Sequence, residues 1–241
     1  MNYAVITACL NSAKTIERSI DSVLKQEILP YEYIFVDGGS KDATLKIISN
    51  KTNNVKNSFK IINQIEKTGI TGAWNMALEK ITSDIIFILN SDDWYEKDTA
   101  KQVMDCFEKN KNAGIVLTSV NFHNPENNST YIRHNRNFGF FPFLMPVLHP
   151  GCFVRQNVYE KYGFYNDKYK ISADYDFFYR VYTSGVEFCE IRKALVNMEL
   201  GGTAGRNRGL ARMETREIAR KYCNLTVLPE IAYYLRTLTG R

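Results

Sequence analysis

Five short, largely apolar runs in the first 120 residues, each separated from the next by a segment with apolar residues at helical spacing, constrain this chain more than any other feature. The runs are residues 3–9, 33–36, 59–62, 85–89 and 115–118. Between them lie Ile16, Ile20, Val23 and Leu24; Leu45 and Ile48; residues 73–78; and Ala100, Val103, Met104 and Phe107. A run such as 85–89 has no polar face to turn to water, so it suits a strand covered on both sides. Strand and helix alternating at this pace predict parallel βαβ units, an α/β fold with a Rossmann-like, mostly parallel central sheet flanked by helices. Asn11 or Ser12, Asp42 and Asp98 are the expected helix caps.

The regularity stops near residue 120. Residues 121–150 are rich in Asn and aromatics, with no clear period. Strands are expected again over 152–155 and 187–196, and helices over 174–182 and 209–222. Neither an internal repeat nor a linker breaks the chain, so one domain over 1–241 is expected, with a regular half (1–120), an irregular half on the same sheet (121–200), and a C-terminal loop and helices (201–241).

The ends of the predicted strands carry polar residues: Thr7, Asp37, and the turn Asn90-Ser91-Asp92-Asp93. In an open α/β sheet these ends share the edge where ligands bind. Adjacent carboxylates repel each other, and a cation is their natural partner. Hard oxygen ligands favour magnesium or manganese over zinc. A polar turn that merely precedes the next helix would look the same in sequence.

The chain carries a formal net charge of +5. That balance suits anionic nucleotides, lipid phosphates or a membrane surface, and does not require nucleic acid. The five cysteines, at 9, 106, 152, 189 and 223, form no Cys-x-x-Cys pair. An odd count without that spacing predicts neither a disulfide framework nor a zinc site, and favours a reducing compartment. No signal peptide is read at the N-terminus, and no run approaches the ~20 apolar residues of a membrane span. A cytoplasmic protein is expected, with contact at the inner face of the membrane left open.

At this point a resemblance enters. The stretches 7–11, 36–44 (Val-Asp-Gly-Gly-Ser-Lys-Asp-Ala-Thr), 69–75, 90–93 and 173–176 (Ala-Asp-Tyr-Asp) occur in the order and spacing of family 2 glycosyltransferases. The likeness spans roughly residues 3–200 and rests on the set of motifs rather than on any one. It implies a GT-A fold and an inverting transfer of a sugar from a nucleotide-diphosphate donor, usually uridine-linked. The acceptor it implies is a saccharide or lipid-linked saccharide in bacterial surface polysaccharide synthesis. Thr7 and Asn11 match the family's first donor-binding loop. Asp37 matches the acid that bonds the base, and Gly38 stands where a second acid is common. Asn90-Ser91-Asp92 occupies the family's Asp-x-Asp position. Asp92 is thereby the expected ligand of Mn2+ or Mg2+, with Asn90 a neutral oxygen beside it and Asp93 a neighbouring contact. Asp174 matches the catalytic acid.

An inverting transfer is a single displacement. It needs a base for the acceptor hydroxyl and neutralisation of the departing phosphates. Asp174 is the candidate base, and Asp176, two residues on, points elsewhere around a helix. Either could instead be a simple N-terminal helix charge. Lys67 could reach the donor phosphates or stay solvated. Asn75 could meet the sugar or merely bond backbone. His149 could face the site or be structural. The glycine-rich stretch 201–205 could close over a donor or be an ordinary connection. Arg208, Arg212, Arg216 and Arg220 make a basic stripe, diluted by Glu214 and Glu217, that fits a solvated face, an anionic acceptor or a lipid surface. The apolar stretch 138–146 fits core, a homodimer contact or a platform for sugar or lipid.

Two other enzyme classes fit poorly. A nucleotidyltransferase wants a glycine-rich phosphate loop after the first strand, and a dinucleotide oxidoreductase wants Gly-x-Gly-x-x-Gly there. This chain has Leu10-Asn11-Ser12-Ala13-Lys14. A nucleotide-sugar-binding or scaffold protein of the same fold, impaired in catalysis, is the remaining alternative. Asn90 and Gly38 favour it; Asp92, Asp93 and Asp174 oppose it.

Overall fold

A computed structural model describes residues 1–53, 58–64, 68–201, 207–225 and 227–239. In chain order the elements are β1 (Tyr3–Cys9), α1 (Ile16–Leu24), β2 (Glu32–Asp37), α2 (Thr44–Thr52), β3 (Ser58–Asn63), α3 (Gly69–Leu78) and β4 (Ile85–Ile88). There follow β5 (Trp94–Tyr95), α4 (Thr99–Lys109), β6 (Ala113–Asn124), β7 (Ser129–Arg133), β8 (Cys152–Arg155), α5 (Gln156–Tyr162) and α6 (Ala173–Thr183). The chain closes with β9 (Glu187–Glu199), α7 (Arg208–Tyr222) and α8 (Val227–Leu238).

The strands form one sheet in the order β3-β2-β1-β4-β8-β6-β9-β5, with β7 paired to β6. β3, β2, β1 and β4 run parallel, as the alternation predicts. Beyond β4 the sheet is mixed: β8 is antiparallel to both β4 and β6, and β9 is parallel to β6. Every residue of β1, β2 and β4 is buried. Side chains alternate across the sheet, and each face has its own core. One gathers Ile6, Ile86, Ile88, Trp74 and Phe178 under α3 and α6. The other gathers Val5, Ile20, Phe35, Phe87 and Phe107 under α1, α2 and α4. Truncating a fully buried phenylalanine such as Phe87 to alanine would cost about 3–5 kcal/mol.

The structure corrects several local expectations. Strand β6 runs on to Asn124 and turns back into β7 through Asn128 at φ 54°. The apolar signal there is diluted because only alternate residues, such as Val120 and Phe122, are buried while Asn121 and His123 reach water. Helix α5 was not expected, since just Val158 and Tyr159 of its seven residues are buried. Neither Asn11 nor Ser12 caps α1 with a side chain; the Ser12 carbonyl accepts the N–H groups of Thr15 and Ile16 (3.0 and 2.9 Å). Asp42 does accept the N–H of Thr44, the first residue of α2 (3.0 Å). Asp98 does stand at the N-cap of α4, its carbonyl accepting the Gln102 N–H (3.0 Å), while its carboxylate takes Lys193 (2.6 Å) and the Gln102 side chain.

Of the apolar stretch 138–146, Phe141 and Pro146 are buried, Phe138 and Met145 pack partly buried against the core, and Phe140 stays exposed. Phe141 is fully buried and stacks on Tyr179 and Tyr182 (4.8 and 4.9 Å between centroids). All five cysteines are free. Among the described residues no helix is long and apolar enough to cross a membrane.

Candidate active site

Register fixes where the loops meet. Cys9 lies opposite Asp37, Ile6 lies opposite Ile88, and the Leu89 N–H donates to the Ile6 carbonyl (2.9 Å). The chain therefore leaves β1, β2 and β4 at one sheet edge. Asp37 folds the first of these turns: its carboxylate accepts the N–H groups of Gly39 and Ser40 (both 2.9 Å) and the Ser40 hydroxyl (2.5 Å). Gly39, at φ +91°, takes a conformation that side chains resist. Asn11, at φ 51°, accepts the Lys41 N–H through Oδ1 (2.8 Å) and donates its own N–H to Ser40 Oγ (2.9 Å). The Ser12 and Ser91 hydroxyls meet at 2.8 Å, which ties this pair of loops to the turn after β4.

Two of the expected donor contacts sit differently. Thr7 is fully buried, its hydroxyl 3.1 Å from that of Tyr33, because mid-strand alternation turns it into the core rather than the edge. Asn75 is committed to backbone: it donates to the Tyr165 carbonyl (2.8 Å) and accepts the Tyr165 N–H (3.1 Å). Of the alternatives open for Asn75, backbone bonding is the one realised. Lys67 and residues 202–206 of the glycine-rich stretch lie outside the described residues.

The turn 90–93 is a compact carboxylate cluster. Asn90 donates its amide to Asp93 (3.0 Å), and Asn90 Oδ1 is buried with no hydrogen-bond partner among the described residues. Asp93 is 1% exposed, and burial, with the Asp92 charge adding to it, pushes its carboxyl up to about 8. Asp92 is also raised, chiefly by burial and then by Glu199, with Arg18 opposing. Arg18 on α1 spans the turn. It donates to the Asp92 carbonyl (2.9 Å) and to the Glu199 carboxylate (2.8 Å), and its guanidinium sits 3.7 Å over the Trp94 ring. No sequence signal marked Arg18, which lies 74 residues from Asp92.

The donor chemistry of this turn fits a hard divalent cation. Asp92 offers a carboxylate, and Asn90 Oδ1 offers a neutral oxygen that no donor among the described residues satisfies. Magnesium-type sites commonly use one or two protein oxygens and complete their shell with substrate phosphates and water. Among the described residues no group of three or more His, Cys, Asp or Glu side chains could hold a metal without such help.

Asp174 comes from the other half of the chain. Phe87 pairs with Phe153 in antiparallel register, so β8 begins, at Cys152, beside the end of β4. Asp174 is near enough to Cys152 and Tyr165 for its charge to raise both of them. Burial pushes its own carboxyl up to about 6, Glu214 adds to the rise, and the N–H of Tyr175 (2.8 Å) opposes it. Asp176 is fully buried against α7, accepting the Tyr222 hydroxyl (3.0 Å), with Lys221 and Arg180 at 3.5 and 3.6 Å. Its place is structural.

Glu214 is the other residue the sequence did not reveal. Read there as diluting a basic stripe, it is 7% exposed and accepts the N–H groups of Lys170, Ile171 and Ser172 (2.8, 2.9 and 2.8 Å). Those residues lead into α6 and Asp174. The stripe itself is partly neutralised, since Arg216 and Arg220 both pair with Glu230 of α8. His149 stacks on Trp74 (4.8 Å) and stands 3.4 Å from the Tyr165 hydroxyl; burial pushes it down to about 4, so it is a neutral packing residue.

Comparison with known proteins agrees with this geometry. The family model "Glycosyl transferase family 2" matches residues 4–178. The PGL/p-HBAD biosynthesis glycosyltransferase of Mycobacterium bovis (strain BCG / Pasteur 1173P2) is 28% identical over 185 residues, covering 76% of this chain and 70% of that one. The chondroitin synthase of Pasteurella multocida (strain Pm70) is 29% identical over 197 residues, 80% of this chain but 20% of the synthase. Among solved structures, S. aureus TarS 1–349 in complex with UDP superposes with a TM-score of 0.74 at 18% identity, covering 99% of this chain and 72% of that one. The mannosyltransferase PcManGT from Pyrobaculum calidifontis, in complex with GDP-Man and Mn2+, gives 0.70 at 15% identity, covering 100% and 76%. This chain spans 42% of a longer TarS chain. The fold these likenesses show is GT-A.

Proposed function

This chain belongs to glycosyl transferase family 2, and on that premise we propose that it moves a sugar, with inversion, from a nucleotide-diphosphate donor to a saccharide or lipid-linked saccharide acceptor. The donor we favour is a UDP-sugar, and the setting bacterial surface polysaccharide synthesis. The names of similar proteins support both: TarS structures hold UDP and UDP-GlcNAc, and the relatives include a chondroitin synthase. The cysteine pattern supports a cytoplasmic location.

One observation carries the reading. Burial raises the Asp174 carboxyl to about 6, and its charge reaches Cys152, where β8 begins beside β4, which supports placing the base near the turn 90–93. A carboxylate so tuned is ionised at neutral pH yet basic enough to accept a proton. In the proposed displacement the acceptor hydroxyl attacks the anomeric carbon, and its proton passes to an Asp174 carboxylate oxygen. The bond to the nucleoside diphosphate breaks on the opposite face. Asp92 and Asn90 Oδ1 would hold Mn2+ or Mg2+, which supplies charge neutralisation at the leaving diphosphate. Asn11 and Asp37, which shape the adjoining loops, and Asp93, which orients Asn90, complete the donor side of the site.

A second reading has its own observation. Asn90 stands at the family's first acidic position, which favours a nucleotide-sugar-binding protein impaired in catalysis. One experiment separates them. A panel of nucleotide sugars is screened by thermal shift with Mn2+ and with Mg2+, and the product of the binding donor is followed by NMR at the anomeric proton. A metal-dependent rise in melting temperature, with product of inverted configuration, is expected. Binding with neither transfer nor hydrolysis would favour the second reading, and absence of any nucleotide-sugar binding would defeat both.

A further inference from the structure

Helix α8 has two opposed faces. Pro229, Ala232, Tyr233 and Arg236 are turned toward α7 and the Pro142–Phe143 turn, across a narrow cleft. On the other side Val227, Ile231, Tyr234, Leu235 and Leu238 are 57, 45, 60, 56 and 84% exposed. Their spacing of three and four places them on one stripe. Scattered exposed leucines need no explanation, but a contiguous stripe along a helix does. Leu225, just before α8, and Leu210 and Met213 on α7 are exposed as well.

Charge distinguishes the candidate occupants. A helix of 12 residues is about 18 Å long at 1.5 Å per residue. Residues 207–239 carry six Arg or Lys against three Glu. Glu214 is spent on backbone N–H groups and Glu217 is bonded to Lys168. Arg220 and Lys221 stay about half exposed, at 52 and 50%, and each shares its carboxylate partner with an arginine, Glu230 with Arg216 and Asp176 with Arg180, so a positive surplus remains. Apolar and aromatic side chains on one face of a short helix, with a cationic surplus alongside, suit the interface of an anionic bilayer.

The geometry points to an anionic membrane surface as the partner of this face. In that arrangement α8 lies in the headgroup plane with its stripe among the acyl chains, and the exposed cations of α7 meet lipid phosphates. The inference stands apart from the transfer reading, because it uses no residue of the candidate active site.

Co-sedimentation of the full chain with vesicles tests it. Vesicles of phosphatidylcholine alone are compared with vesicles in which phosphatidylglycerol is mixed, at low and high salt. Binding at least about tenfold stronger to the anionic vesicles, weakened by salt, is expected. The double variant I231Q/L235Q should lose about tenfold or more of that binding, with an unchanged melting temperature and unchanged donor binding. The pair R220Q/K221Q should weaken binding to anionic vesicles only. Failure to sediment, or sedimentation of I231Q/L235Q at the wild-type level, would overturn the inference. So would a wild-type dimer that I231Q/L235Q dissociates without any vesicle binding, since the face would then belong to a second copy.

Discussion

Glu214 holds Asp174 in place without touching it. Its carboxylate, on α7, takes the three backbone N–H groups of residues 170–172, one turn before the α6 residue proposed as the base. Its charge also adds to the forces that raise the Asp174 carboxyl. Glu214→Gln keeps the shape but turns an amide toward N–H donors. A loss of about 2–3 kcal/mol is expected, or roughly 4–12 °C in Tm. The acid limb of the pH–rate profile should also move below its wild-type position. A variant with unchanged melting and an unmoved limb would remove Glu214 from this role.

Asp174 itself should set that limb. A base acts when ionised, so kcat/KM should rise with pH through about 6 and then level. Asp174→Asn should cut transfer by about a hundredfold or more while leaving donor affinity near normal. The stability effect has the opposite sense. The folded carboxyl binds its proton more tightly than the unfolded one, so its contribution to stability is lost as pH rises through about 6. Asp174→Asn should therefore melt about 2–4 °C above wild type at pH 8 and at the same temperature near pH 3. Wild-type turnover in this variant would sink the assignment.

Asp92→Ala should weaken metal and donor together, because Asp92 would hold the cation that neutralises the donor diphosphate. Titration of Mn2+ with and without a nucleotide donor reads this directly, and a loss of about tenfold or more in each is expected. Asn90→Asp should tighten the metal in the same titration. Undiminished metal-dependent donor affinity in Asp92→Ala would contradict the site.

Arg18→Lys tests the pin across the turn 90–93. Lysine keeps the charge but loses the planar fork and most of the stacking on Trp94. A loss of about 1–2 kcal/mol, roughly five- to thirty-fold in kcat/KM, is expected. If the lysine variant matched wild type, charge alone would explain Arg18.

His149 should govern acid sensitivity. Burial holds it near 4, below its unfolded value near 6.5, so it contributes stability that is lost as pH falls through that window. His149→Phe preserves a ring against Trp74 and removes the proton. The variant should gain Tm over wild type as pH drops from about 6.5 toward 4, with no such gain at pH 8. A pH-independent difference would show that the ring acts by packing alone.

Much of the architecture was legible in residue order. The apolar runs at 3–9 and 85–89 became buried strands because a strand covered on both faces must be apolar throughout. Of the candidate site, Asp37 and the turn 90–93 follow the ends of β2 and β4, which the parallel register keeps at one sheet edge. Thr7 was misread, since a motif position does not say which way a strand residue points. β7 and the far half of β6 were hidden because half-buried strands carry as many polar residues as loops.

The sequence alone determined the strand–helix alternation, the parallel first half and the identity of the acidic turns, because periodicity and spacing are local properties of the chain. Tertiary structure decided what those groups experience. Glu214 reaches the loop before Asp174 across more than forty residues, and Arg18 reaches Asp92 across 74. Burial of Asp174, and of an Asn90 oxygen without a donor among the described residues, likewise arises only when distant segments close around them. Desolvation and hydrogen bonding depend on neighbours in space, which no run of neighbours in sequence supplies.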